Sequence, residues 1–543
     1  MIFLGNVSGH DFIFHVQSWM DVAGQWREGI LYPRWAEWAN WGFGEPRFVF
    51  YPPLSWMAGA ALGSALPWRM APGGFIWLAL VLAGMSMWRL ARQWVAPRYA
   101  ILTAALYAVN PYHLVIVYYR SAFGELLGAA LLPLLIWAAL RVTSGEWRRT
   151  PILSLAFAGI WLSNAPAAVI ATYALGLLLI VLCAVRRSLW PLALGGGAMA
   201  GGFGLAAFYI VPGVWEQRWV QIAQAVTASY WPTANFLFTR ANVPEYVAFN
   251  GKVSWVAAGL IGVTAIGWIL ARERRREIAG AWWALSSLAA ASVVMMLPVS
   301  AWLWRTLPKL WFVQFPWRCL DVVGVAFAFF VASGIASVRN RAAAGALAIL
   351  VFAGIGAAGA AMVKDAPWDS SDLPGVAAAI HSGRGYEGAD EYAPVGCDRY
   401  QFPGNPDDEE RPADVSRDPA PSVAKVDPES DEIVPAAGVR IHPQTWTAER
   451  RTFAAESATT TTLAVRLVNY PAWSVEVNDS PAQFELRPET GQILVPLAAG
   501  SNRVDLRFRR TRDRALGDAI SAISTVTLAA FAWVFGRKRT QTG

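Results

Sequence analysis

Pro166 to Val185 reads PAAVIATYALGLLLIVLCAV, and this stretch decides the class of the chain. It carries no charge and is about 20 residues long, enough for a helix to cross the hydrocarbon core of a bilayer. The rest of the chain is of the same kind. Its 543 residues are 55% hydrophobic and only 15% charged, and 29 of them are Trp. The mean hydropathy of +0.35 does not suit a soluble globule. These features describe a polytopic α-helical membrane protein. The net charge of +7 is no argument for nucleic acid, because Lys and Arg gather in short loops between apolar runs. Three cysteines show no metal spacing; Cys183 and Cys319 lie in apolar runs, leaving Cys397 as a lone thiol.

The basic clusters set the topology. They are Arg89 to Arg98, Arg141 to Arg149, Arg186-Arg187, Arg272 to Arg276, Arg339 to Arg341, and Arg537-Lys538-Arg539. Short cationic loops stay on the cytoplasmic side, so each consecutive pair must enclose an even number of crossings. The apolar runs meet that demand: 99–119 with 121–140, 151–165 with 166–185, 189–213 with 253–271, 278–297 with 318–338, and 342–362 with 516–536. The second hairpin breaks at Ser163-Asn164-Ala165-Pro166. One more span at 70–88 enters from outside, giving about 11 in all.

This parity puts residues 1–69, the loop 214–252 and the segment 363–515 on the exterior face of the membrane. Residues 1–69 must then be exported without a preceding apolar helix, and a span encoded upstream of Met1 would supply the carrier. Residues 52–66 (PPLSWMAGAALGSAL) are too short for a crossing and read as an interfacial helix. The chain divides into the first exterior loop (1–69), the helical bundle (70–362), an exterior segment ending in an acidic, Pro-rich linker (363–435), a small β-sandwich (436–515), and the last span with a basic tail (516–543). The sandwich is expected from alternating or β-branched runs at Thr461 to Leu467, Ala472 to Val477, Gln492 to Leu497 and Arg503 to Phe508, separated by turn residues such as Asn478-Asp479. It reads as a lid or spacer, or else as a sugar-binding module.

Ionisable residues near membrane depth are costly, so the few present carry information. On the exterior side they are Asp11 and His15, Glu45 and Arg47, Arg120 and Glu125, and Arg318 and Asp321. Asp11 and His15 stand four apart in GHDFIFH, on one face of a helix. The plain reading of that pair is a helix-start carboxylate with a polar neighbour on a wet surface. Arg318 and Asp321 are spaced for an internal ion pair, or for holding an anionic head group. Asn40 to Trp56 (NWGFGEPRFVFYPPLSW) mixes aromatics, Gly and Pro with one acid and one base. Such a loop suits a membrane interface, and its aromatic rings, Tyr51 among them, suit stacking on sugars. A carboxylate beside it can take a proton from an attacking hydroxyl.

A first-loop carboxylate followed by YPPLSW (Tyr51 to Trp56) resembles the GT-C superfamily of integral membrane glycosyltransferases. More closely, GHDFIFH, GEPRFVFYPPL, FPWRCLD, YEGADEYAP (Tyr386 to Pro394) and YPAWSVEVN (Tyr470 to Asn478) resemble bacterial membrane proteins labelled 6-pyruvoyl-tetrahydropterin synthase-related, over nearly the whole chain. The pterin label does not carry over: the five histidines (His10, His15, His113, His381, His442) are scattered and complete no three-ligand zinc set. The GT-C resemblance implies a polyprenyl-phosphate-linked sugar as donor, entering from the lipid. It makes Asp11 the base, with His15 orienting it or contacting the sugar. Arg120 or Arg318 would neutralise the leaving phosphate, and Glu125, Glu45, Arg47 and Tyr51 would contact substrate. No cofactor is certain; some superfamily members hold a divalent metal between loop carboxylates, and Asp11 with Glu125 would be that pair, although neither loop contains a DxD motif. Two other readings stand beside the transferase. One is a non-catalytic membrane scaffold or lipid-glycan handling protein. The other is a transporter, disfavoured because the charges gather at span ends rather than at the midplane.

Overall fold

The computed structural model describes residues 5–240, 244–402, 423–426, 433–435 and 438–536. Eight helices among them are long and apolar enough to cross a membrane: Trp68–Ala91, Pro97–Arg120, Phe123–Thr143, Ala165–Arg186, Tyr246–Arg274, Pro316–Ser337, Arg341–Asp365 and Arg512–Phe535. Two bent pairs bring the number to ten. Trp190–Leu205 turns by 75° into Ala207–Trp219, and Ala279–Met295 turns by 89° into Pro298–Thr306. The second bend falls at Pro298, which has no N–H to continue the ladder.

The expected crossing at 151–165 is the helix Thr150–Ser163, only 14 residues long. It rises about 21 Å, short of the roughly 30 Å of a hydrocarbon core. The chain reverses at Asn164, where the sequence places the break. The Asn164 side chain accepts from the Ala167 N–H at 2.9 Å and so starts the next helix. Pro53–Ala65 is a separate 13-residue helix packed on Phe12–Arg27, too short to span.

The basic turns collect at one end of the bundle. Arg186 reaches the Thr143 carbonyl, Arg141 meets Gln93 at 3.5 Å, and Trp147 packs on Phe531 and Phe535 of the last helix. The three non-membrane regions meet at the other end. Asn6–Val7 pairs antiparallel with Trp368–Asp369, Gln221 N donates to Ala393 O at 2.9 Å, and the Arg34 N–H donates to Glu449 at 3.1 Å.

The C-terminal unit is two five-stranded antiparallel sheets. One orders Glu485–Leu486, Gln492–Leu497, Thr461–Val468, Val423–Val426 and Ile433–Pro435. The other orders Val439–Thr447, Arg450–Ser457, Gly500–Phe508, Trp473–Val477 and Ser480–Pro481. Phe453, Leu463, Val465, Ile493, Val495, Val504 and Leu506 form its core. The four expected strands are present. Two sheet strands start inside the stretch read as linker, and residues 403–422, the heart of the acidic linker, lie outside the described residues. The sandwich is also more than tethered. Trp35, Trp41 and Phe43 of the first loop enter its core, with Trp35 edge-on to Trp473 at 5.5 Å.

Candidate functional site

The site starts from the end of Pro97–Arg120. Its last five residues, Ile116–Arg120, wind as a π-turn, and Ser121 leaves in the left-handed region at φ 50°. Such turns commonly re-aim a functional side chain. The GHD segment lies directly on this turn. Ser121 Oγ accepts from Gly9 N at 3.1 Å and donates to Val7 O at 2.9 Å, while Asp11 N donates to Arg120 O at 2.8 Å. Gly9 is required here, because a Cβ would stand 2.5 Å from the Arg120 carbonyl carbon. Asp11 is therefore delivered beside Arg120, with Oδ2 at 3.4 Å from its guanidinium.

Behind Asp11 lies a buried charge cluster. Arg120 pairs with Glu125, and Arg318 Nε stands 3.2 Å from the same Glu125 oxygen. Tyr112 donates to the other oxygen at 2.5 Å, and the Arg120 guanidinium lies 5.0 Å over the Trp317 ring. The spacing-based pair of Arg318 with Asp321 does not form. Arg318 turns to Glu125 and to the Val313 carbonyl, and Asp321 Oδ1 is buried without a hydrogen-bond partner. The Asp11 side chain is 40% exposed against 3% for Arg120, so the cluster presents one accessible carboxylate.

These donors do not fit a divalent cation. Glu125 spends both oxygens on Tyr112 and two guanidiniums, and Asp11 faces Arg120. Among the described residues no three His, Cys, Asp or Glu side chains converge as a metal cage.

His15 lies one turn along the helix from Asp11, buried against Phe123, Trp19 and Tyr51. Its ring nitrogens are 3.4 and 3.5 Å from the Tyr51 hydroxyl, at the limit of a hydrogen bond, and its bond to Asp11 is the backbone one, His15 N donating to Asp11 O at 3.1 Å. Burial lowers its pKa to about 4, Asp11 opposing and Arg120 and Arg47 assisting, so the ring is neutral near pH 7.

Glu45 and Arg47 are placed differently from a substrate-contacting pair. Both are fully buried and bonded at 2.7 Å. Glu45 also accepts from Ala389 N at 2.9 Å, and Arg47 donates to Ser18 at 3.1 Å and lies 4.4 Å over Phe14. They fasten the aromatic loop to the segment 383–392. Asp21 does the same work: it accepts from Tyr386 at 2.9 Å, Gln25 at 2.7 Å and Trp38 N at 3.2 Å. Burial pushes its carboxyl up to about 6 against those hydrogen bonds. Asp21 went unnoticed in the sequence, yet Asp11, His15, Ser18, Asp21 and Gln25 form one polar stripe at helical spacing that marks it.

Aromatic and backbone contacts link the elements around Asp11. From Arg120 they run over Trp317 to Phe315, stacked at 4.8 Å, and to Tyr230 at 5.9 Å. The 219–226 segment then bonds to 390–395, where Tyr392 packs 6.4 Å from Phe14. Phe14 meets Tyr51 at 4.8 Å, and Tyr51 returns to His15. Asp11, Phe14, Tyr51, Tyr230, Phe315 and Glu391 keep partial exposure, whereas Arg120, Glu125, Trp317, Arg318 and Tyr392 behind them are buried. Partly exposed aromatic rings and the Asp11 carboxylate thus stand beside a buried charge cluster. A separate open groove of about 740 Å³, lined by Gln221, Cys397, Asp398, Gln401 and Glu489, contains none of the candidate residues.

With the fold and this charge cluster in view, comparison with known families gives a match. The family described as 6-pyruvoyl-tetrahydropterin synthase related domain, a membrane protein, matches residues 48–362. The chain belongs to this family. Among curated proteins nothing matches. The synthase-related domain covers Tyr51, Arg120, Glu125 and Arg318; Asp11 and the sandwich lie outside it. As a member, the chain is a multi-pass membrane protein.

Proposed function

We propose that this synthase-related protein is a glycosyltransferase of the outer face of a bacterial inner membrane, moving a sugar from a polyprenyl-phosphate donor to an envelope glycan, lipid or protein. The observation that carries the reading is the accessible carboxylate of Asp11, set beside the buried guanidiniums of Arg120 and Arg318 and close to partly exposed aromatic rings. In the step, Asp11 accepts the proton of the acceptor hydroxyl. The oxygen bonds to the anomeric carbon with inversion, the carbon–oxygen bond to phosphate breaks, and the phosphate leaves with the electron pair. Arg120 and Arg318 offset its charge, a guanidinium fork being matched to phosphate oxygens. Orientation is supported by the basic turns at the opposite end of the bundle, which the positive-inside rule assigns to the cytoplasm.

A second reading, a non-catalytic scaffold or lipid-glycan handling protein, is favoured by Glu125, which already compensates both guanidiniums. The test uses full-length protein in native membranes with polyprenyl-phosphate hexoses radiolabelled in the sugar. Wild type is expected to move label from lipid to polymer, and Asp11→Asn to remove transfer while keeping the thermal unfolding profile. An Asp11→Asn protein with full transfer overturns the role of Asp11, and lipid binding without any transfer by wild type favours the scaffold.

A further inference from the structure

Both bent helix pairs turn at the end of the bundle away from the basic turns. Trp190–Leu205 follows Arg186-Arg187, and Ala279–Met295 follows the cluster Arg272 to Arg276, so each crosses the bundle before it bends. The second arms, Ala207–Trp219 and Pro298–Thr306, then run sideways, after turns of 75° and 89°. Contacts join the arms into one shelf. Lys309 Nζ donates to Gln217 Oε1 at 3.3 Å, and Gln314 Nε2 donates to Ala225 O at 2.6 Å. The Tyr173 hydroxyl donates to Pro308 O at 2.9 Å. Tyr173 lies inside the span Ala165–Arg186, about 12 Å along the helix from its start, so the shelf sits at the membrane boundary rather than out in water.

The outward side chains of the shelf are apolar: Val214, Trp215, Val299, Trp302 and Phe312 are all exposed. Tryptophan rings of this kind settle at head-group level. Three exposed cations stand among them, Arg218, Arg305 and Lys309. The Arg218 guanidinium lies 4.3 Å over the Trp215 ring, and Lys309 Nζ lies 5.1 Å over Phe312. Residues 205–226 and 298–315 contain a single acid, Glu216, which is buried and already bonded to Arg514 and Tyr470. Among the described residues no carboxylate pairs with Arg218, Arg305 or Lys309; the side-chain partner of Lys309 is the neutral amide of Gln217. Short basic loops belong at the other end of the bundle, so uncompensated cations here await negative charge from outside the chain. Beside exposed apolar side chains at this depth, that charge is a lipid phosphate. We infer that the shelf binds anionic phospholipid, with Arg218, Arg305 and Lys309 on head-group phosphates and the tryptophans against the acyl chains. This site is separate from Asp11 and does not depend on the transferase reading.

The test titrates the full-length protein in detergent with phosphatidylglycerol or phosphatidylcholine of matched chains and counts bound lipid by native mass spectrometry. Wild type is expected to hold phosphatidylglycerol more tightly, and the preference to shrink as salt is raised. Arg218→Gln combined with Lys309→Gln should weaken phosphatidylglycerol binding by about fivefold per charge removed and leave phosphatidylcholine binding unchanged. Thermal unfolding checks that the double variant is folded. Arg305→Gln, on the second arm, should cost about fivefold alone, so the reading does not hang on the bond between Lys309 and Gln217. Cations that merely snorkel would not tell the two lipids apart. Equal affinity for both lipids in wild type, or a preference that both variants keep, therefore overturns the inference. Undecaprenyl phosphate that displaces phosphatidylglycerol from wild type but not from the double variant overturns it too, and gives the shelf to the polyprenyl lipid instead.

Discussion

Glu125 pairs with two buried guanidiniums, those of Arg120 and Arg318. Removing its charge strands both, so Glu125→Gln is expected to lower stability by about 3–5 kcal/mol, read by thermal unfolding of the full chain in detergent. His15 gives a pH signature. Its folded pKa of about 4 lies below the ordinary 6.5, so the folded state binds fewer protons between those values. Its contribution is complete above 6.5 and is lost as pH falls towards about 4. Asp21, raised to about 6, slopes the opposite way, so the contribution of His15 is read as the difference between wild type and His15→Gln across that window. Asp11, Arg120, Glu125 and Arg318 were legible in sequence because ionisable groups stand out against apolar runs. Their pairing was not. Spacing suggested Arg318 with Asp321, but a guanidinium turns to the carboxylate that tertiary packing brings nearest, and Glu125 comes from another helix.

At the scale of elements, the hairpin break at Asn164 and the turn at Asn478-Asp479 were readable because their chemistry is local. Both turn residues take positive φ, 52° and 61°, as a tight hairpin demands. The strand Val439–Thr447 was missed because Pro443 interrupts its pattern. That proline is tolerated at a register shift on an edge strand, where no ladder N–H is needed. The segment 383–392 is bound to the first loop through Gly385, at φ 79°, where a Cβ would lie 2.5 Å from Gly42 N and Trp38 O. Gly385→Ala is therefore expected to release this segment, cutting activity at least about tenfold and speeding protease cleavage near it, with the helical bundle's circular dichroism retained.

Across the whole molecule, counting basic clusters located the three non-membrane regions at one end, because membrane topology is written in short charged loops rather than in tertiary contacts. The contacts between those regions were invisible to that count, as was the shortness of Thr150–Ser163. The orientation is checked with a membrane-impermeant maleimide on intact cells. Thr459→Cys is expected to label at once, and Arg339→Cys only after permeabilisation; both positions are exposed, while native Cys319 and Cys397 are buried. The reverse pattern would place Asp11 and Arg120 at the cytosolic face and end the envelope-glycan reading. The sandwich is gripped from several directions: Arg514 makes a two-pronged pair with Glu216 at 2.7 Å, Tyr470 donates to the same carboxylate, and Arg466 donates to the carbonyls of Trp41, Gly383 and Arg384. Once the chain is inserted, covalent continuity across 403–422 is expected to be dispensable: cleavage at a protease site placed there should leave the part from 423 onward bound to the rest through detergent extraction, read by co-purification of the two fragments.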